Sequence, residues 1–184
     1  MNMADSVIKY ANCALKLSQV LQFKMQVANA NRLLGLAYFD KGNNSKPIDY
    51  LLEALKVYEE IKYNREIAAV LNDIGTFYYQ GTHQDSIALD YYIKALKIFE
   101  TLGSKNDIST MNMNIGNIYI EQGKAEKSFQ YYLKALTIAE ELGNKQQQLN
   151  LLINIGGNYL HISDETKALE CLLKALKISE DIND

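Results

Sequence analysis

Four glycines recur along this chain at nearly constant spacing, each inside a segment whose apolar residues follow a helical period. Gly35, Gly75, Gly116 and Gly156 sit in "LLGLAY", "DIGTFY", "NIGNIY" and "NIGGNY", separated by 40, 41 and 40 residues. Three residues after each comes a tyrosine: Tyr38, Tyr78, Tyr119 and Tyr159. A second block follows each time, "YLLEALKVYEE", "YYIKALKIFE", "YYLKALTIAEE" and "CLLKALKISED", with Ala54, Ala95, Ala135 and Ala175 in register. Between the blocks lie turn-forming stretches, "KGNNSKP", "QGTHQDS", "QGKAEKS" and "HISDETK". Apolar residues at i, i+3, i+4 and i+7 in both blocks predict two helices per repeat, closed into a hairpin. A fixed period of this length is the mark of stacked repeats.

The opening of the chain extends the pattern. "YANCALKLS" matches the second block, with Tyr10 and Ala14 each 40 residues before Tyr50 and Ala54. The expected organisation is one solenoid over 1–184: an orphan second helix at 4–22, then repeats at 26–62, 66–103, 106–143 and 146–182. That makes an all-α, right-handed superhelical solenoid of about nine helices in antiparallel pairs. Terminal repeats usually carry a polar outer face; without a distinct one, the chain is expected to be a segment of a longer protein, the alternative being a complete protein with a degenerate first repeat. The orphan helix is expected to expose an apolar flank at Val7, Ala11 and Leu15.

These residues resemble the tetratricopeptide repeat. Its pattern pairs a helix-A Leu-Gly-x-x-Tyr core with small and aromatic positions on helix B. Ile115, Gly116 and Tyr119 match helix A in the third repeat, and Ser128, Tyr132 and Ala135 match helix B. In the fourth repeat the matches are Ile155, Gly156 and Tyr159, then Ala168, Leu172 and Ala175. The second repeat carries one extra residue, placed by sequence in the turn "GTHQDS", so Ala88, Tyr92 and Ala95 fall one place late; the first has Pro47 at the small position. The chain departs from the pattern in lacking the first-helix tryptophan and in its longer period. This points to the long-repeat class seen in kinesin light chains, Rap-type regulators and segments joined to bacterial histidine kinases or cyclases.

A mid-helix glycine costs about 1 kcal/mol against alanine. Four in register imply a close approach of helix A to helix B, expected against the small residues Ala88, Ser128 and Ala168. The resemblance implies a concave groove lined by helix A. Its candidate residues are Arg32 and Phe39; Asn72, Thr76 and Tyr79; Met113, Asn114, Asn117 and Ile120; and Asn150, Asn154 and His161. The neighbouring Asn29, Asp40, Ala69, Asp73, Gln80, Thr110, Glu121, Ile153 and Leu160 carry over to the same face. Amide side chains pair with both N–H and C=O of an extended peptide, and the apolar members offer side-chain pockets. The competing expectation is that Asn114 and Asn154 bond between hairpins. Asn112 and Asn158 lie off the groove and are expected to be structural or solvated.

Net charge is −3 and no dense Lys/Arg block occurs, so no nucleic-acid partner is expected. No apolar run approaches the length of a membrane span, and "MNMADSVIKY" has no signal-peptide pattern. The expected location is the cytoplasm, or the periplasm if a longer protein carries a signal sequence. Cys13 and Cys171 have no metal-ligand spacing and are expected to be free, semi-buried thiols. His83 and His161 are the only histidines and stand in no catalytic motif, so neither enzymatic activity nor a cofactor or metal is expected. Arg32 is the one clear groove cation, which argues against recognition of a terminal carboxylate. The expected function is a non-catalytic protein–protein interaction module. It would bind a peptide or partner helix as the sensory or scaffolding part of a bacterial regulator. The alternative is a structural solenoid that self-associates through its ends.

Overall fold

The computed structural model describes residues 3–43 and 45–183; Asn44, in the turn "KGNNSKP", lies outside the described residues. Nine α-helices and no strands occur among the described residues. They are α1 (Met3–Val20), α2 (Lys24–Asp40), α3 (Lys46–Glu60), α4 (Asn64–Thr76), α5 (Asp85–Leu102), α6 (Lys105–Glu121), α7 (Ala125–Glu141), α8 (Lys145–His161) and α9 (Glu165–Asn183). Two compact units divide between Ile98 and Phe99, inside α5.

The helices end where the sequence supplies a left-handed residue. Gly42, Gly103, Gly123 and Gly143 take positive φ, as do the non-glycines Gln22, Lys62, His83 and Ser163. Gly123 shows the result: its N–H reaches the Ile120 carbonyl, and Lys124 N–H reaches that of Tyr119, closing α6 in a Schellman-type cap. Asn43 prepares α3 by accepting from the N–H groups of Ser45 and Lys46, and Pro47 stands in the first turn, where no N–H is needed.

In the first unit the core gathers Ala28, Leu51, Ala54, Tyr58, Val70, Ile74 and Phe77. In the second it gathers Tyr132, Ala135, Ala139, Leu151 and Ile155. Exposed ion pairs join hairpin ends: Lys24–Glu60 in the first unit, Lys105–Glu141 and Lys145–Asp181 in the second, each spanning 36 residues. Such pairs contribute at most about 1 kcal/mol each, so burial of the repeat positions dominates.

The structure corrects four expectations. A Cβ built on Gly35, Gly75, Gly116 or Gly156 would meet a large side chain, not the small residues. The nearest atoms belong to Leu51 (2.8 Å), Tyr92 (2.7 Å), Tyr132 (2.6 Å) and Leu172 (3.2 Å). The small residues Ala88 and Ala168 contribute only their carbonyl oxygens to that approach. The side chain one helical turn further along enters the notch that each glycine leaves, because it is long enough to reach it.

The extra residue of the second repeat is taken up before the turn, in a π-helical turn at Phe77–Gly81. One i→i+5 turn absorbs a single insertion, and Tyr78, in the first part of that turn, keeps its stack on Tyr91. Ala11 is buried, and Val7 and Leu15 are half-buried; the exposed apolar side of α1 carries Tyr10, Ala14 and Leu17 instead. Cys13 is exposed rather than semi-buried, whereas Cys171 is half-buried, its thiol raised by burial.

Candidate functional site

The candidate residues fall on the first helices of the hairpins, and each unit presents its own set. In the first unit Arg32 of α2 does not stand as a free cation: its Nε donates to Asp73 Oδ2 of α4 at 2.6 Å. Burial pushes the Asp73 carboxyl up, and the Arg32 guanidinium offsets only part of that. Burial is the largest single influence on Arg32 and acts to lower it, but the bond to Asp73, the Asp73 charge and the nearby Tyr58 and Glu66 together hold the guanidinium above its ordinary value. Asn72 is half-buried and its side chain bonds Asp73, which favours the carboxylate. Phe39 packs edge-on against Phe77 and touches the position where Gly81 lacks a Cβ. Thr76 pairs with the Tyr92 hydroxyl at 3.1 Å. Tyr79 is half-buried beside this cluster's helix end.

In the second unit the amides form a row between α6 and α8. Asn154 Nδ2 donates to Asn117 Oδ1 at 3.3 Å, and Gln147 Nε2 donates to Thr110 Oγ1 at 3.4 Å. Asn117 Oδ1 also accepts from the Tyr132 hydroxyl at 2.7 Å. Asn150 is exposed and accepts from Gln146 one turn earlier. Asn114 and Ile120 are half-buried, and His161 is exposed in the last turn of α8. Met113 lies against the core cluster. Asn112 and Asn158, off this face, are buried: Asn112 bonds the Ile108 carbonyl and Asn158 the Ala125 carbonyl.

Sequence reasoning missed the partners that fix these side chains. Tyr58 donates to Asn29, Tyr92 pairs with Thr76, and Tyr132 donates to Asn117. For Tyr92 and Tyr132 the signal was present in the "YY" pairs of the second and third repeats. The first tyrosine of each pair stacks on the Tyr of the glycine motif, Tyr78–Tyr91 at 5.8 Å and Tyr119–Tyr131 at 5.5 Å. The second turns inward over the glycine. In the fourth repeat Cys171 takes the stacking position, and Tyr159 tilts onto Phe129 instead.

Among the described residues no helix is long and apolar enough to cross a membrane, and no group of His, Cys, Asp and Glu is placed to hold a metal ion.

Comparison with known proteins supports this architecture. A tetratricopeptide repeat family model matches residues 107–181. No curated protein matches the chain in sequence. Among solved structures, apo RapI superimposes with a TM-score of 0.90 at 19% identity, over 100% of this chain and 66% of its own. Aspartyl phosphate phosphatase F from Bacillus subtilis gives 0.88 at 19% identity, over 96% of this chain and 46% of its own. A Rap protein complexed with competence and sporulation factor gives 0.81 at 18% identity, over 96% and 49%. The chain thus spans about half the length of the last two. The tetratricopeptide repeat motif is thus matched over residues 107–181, in the second unit, and the fold of the chain is similar to that of these solved structures.

Proposed function

We propose that the chain is a non-catalytic protein–protein interaction module that receives a peptide or a partner helix on the first-helix face. It would serve as the sensing or scaffolding part of a larger bacterial signalling protein. The observation that carries this is the row of amides between α6 and α8. Asn154 and Gln147 reach across the repeat boundary to Asn117 and Thr110, and all four are only half-buried. Such a row presents donors and acceptors to an extended backbone at little further ordering cost. Arg32, Phe39, Asn72, Thr76 and Tyr79 form the corresponding set in the first unit. Met113, Asn114, Ile120, Asn150 and His161 complete that of the second. The likeness to a Rap protein solved with competence and sporulation factor supports a peptide-sized ligand.

The test replaces Asn72, Asn150 and Asn154 together with alanine, leaving Asn117 in place because it holds Tyr132. The triple variant is expected to stay folded, with its helical circular dichroism unchanged, and to lose a partner captured by the parent chain from cell extract. Equal capture by both would remove this reading. The self-association reading draws on the exposed Tyr10 and Leu17 of α1 and Leu169, Leu173 and Leu176 of α9. Sedimentation over a wide concentration range decides it, since a monomer throughout leaves it no support.

A further inference from the structure

A cavity of about 400 Å³ opens in the first unit, between the end of α1, the start of α2 and the end of α3. Gln19, Gln22, Lys24, Val27, Val57 and Glu60 line it, none of them a residue of the candidate face. Gln19 comes nine residues after Tyr10, which puts it on the opposite side of α1 from that exposed tyrosine.

The floor explains why space remains here. Val27 and Val57 are its half-buried residues, and the other four are exposed. At the matching positions the second repeat carries Ile67 and Ile98, the third Ile108 and Ile138, and the fourth Gln148 and Ile178. The first repeat is therefore short by at least a methylene at each position, and close-packed neighbours relax only partly into such a gap. The rim differs too. Gln19 stands where the later second helices carry Glu59, Glu100 and Glu140, so a neutral amide takes the place of a carboxylate.

The charges at the rim come as a couple. Lys24 Nζ donates to Glu60 Oε2 at 3.1 Å, and both side chains are exposed, so water weakens their attraction. A ligand lying beside them meets one cation and one carboxylate a hydrogen bond apart. A simple carboxylic acid would be repelled by Glu60, and a simple amine by Lys24. A zwitterion lays its carboxylate against Lys24 and its ammonium against Glu60, and all four charges are then matched. Gln19 and Gln22 offer amide donors and acceptors to either charged group. The valine floor takes an aliphatic side chain.

We propose that this cavity binds a free aliphatic α-amino acid, with Lys24 and Glu60 at its charged end and Val27 and Val57 against its side chain. The site is independent of the first-helix face and of any peptide received there.

L-Leucine is the probe, added to the full chain while backbone and side-chain amide signals are followed by NMR. The signals of Gln19, Gln22, Lys24 and Val57 are expected to shift and saturate with a dissociation constant on the order of 1 mM, within reach of so small a ligand. The matching acid without the amino group and the matching amine without the carboxylate are each expected to bind at least about threefold more weakly. Val27→Ile combined with Val57→Ile gives the cavity the residues that the second repeat already packs. That variant is expected to keep or raise its melting temperature, because it fills space, and to lose the leucine response. Lys24→Gln, at an exposed position, is expected to leave the fold unchanged and to weaken leucine at least about threefold. No saturable shift with L-leucine overturns the proposal. So does equal binding of the acid or the amine, or undiminished binding by either variant.

Discussion

Tyr132 lays its ring against Gly116 and donates its hydroxyl to Asn117, the next residue along α6. The same trio recurs in the first unit, where Tyr92 covers Gly75 and its hydroxyl pairs with Thr76. In the first and fourth repeats leucine covers the glycine, as Leu51 over Gly35 and Leu172 over Gly156. There the next residue is Leu36 or Gly157, neither with a polar side chain. A buried hydroxyl needs a partner and a leucine does not, so the residue after the glycine answers to what fills the notch.

Asn117→Ala should therefore cost about 1–2 kcal/mol by stranding the buried Tyr132 hydroxyl. In a Tyr132→Phe background the same change should cost only a few tenths of a kcal/mol, since no hydroxyl remains to strand. Urea unfolding of the four proteins in the cycle measures the coupling; additive penalties would contradict it.

The glycines should differ in their tolerance of alanine. A Cβ at Gly116 would lie 2.6 Å from two ring carbons of the buried Tyr132. Overpacking there should cost on the order of 1–3 kcal/mol. At Gly156 the nearest atom is Leu172 Cγ at 3.2 Å, on a side chain 39% exposed, which has room to move. Gly156→Ala should be close to neutral or slightly stabilising, because alanine is the better helix former. Thermal melts of the two variants make the comparison.

Tyr92 should be the last tyrosine to ionise. Burial is the main cause that pushes its hydroxyl from 10.0 up to about 12, with Thr76 opposing and the Asp73 charge assisting. Because the folded value lies above the unfolded one, its contribution is fully present below pH 10 and is lost as pH rises toward 12. The loss is about 2–3 kcal/mol. Tyrosinate absorbance should show a late step that disappears in Tyr92→Phe.

The Arg32–Asp73 pair yields a pH dependence of the same sign. The Asp73 carboxyl is raised in the folded protein, so its stabilising share is complete below the unfolded value of 3.8 and shrinks as pH climbs through the folded one. Arg32→Ala removes the group that restrains this shift and should cost about 2 kcal/mol near neutral pH. The penalty should diminish on acidification toward pH 4, measured by denaturant unfolding across that range. A penalty independent of pH would mean that Arg32 stabilises by packing alone.

Much of the helical architecture was legible in the sequence, because hydrophobic spacing reports directly which side of a helix is buried. The spacing around "NIGNIY" and "YYLKAL" predicts α6 and α7, and Ile115, Ala135 and Tyr132 are indeed buried. The candidate face was legible only as a set of positions. That Arg32 meets Asp73, or that Asn154 meets Asn117, depends on the offset between neighbouring repeats, which no spacing within one repeat encodes.

By itself the sequence determined that the chain forms paired helices, and which residues turn inward: the glycine–tyrosine and alanine positions recur in register, and apolar burial follows the helical period. Only the tertiary structure decided that the glycine notches are filled by Leu51, Tyr92, Tyr132 and Leu172. It also decided that the extra residue of the second repeat is absorbed as a π-helical turn, and that Asn117 is already engaged by a tyrosine. Those outcomes depend on side-chain reach and helix-to-helix offset, which emerge when the packed surfaces interlock at crystal-like density.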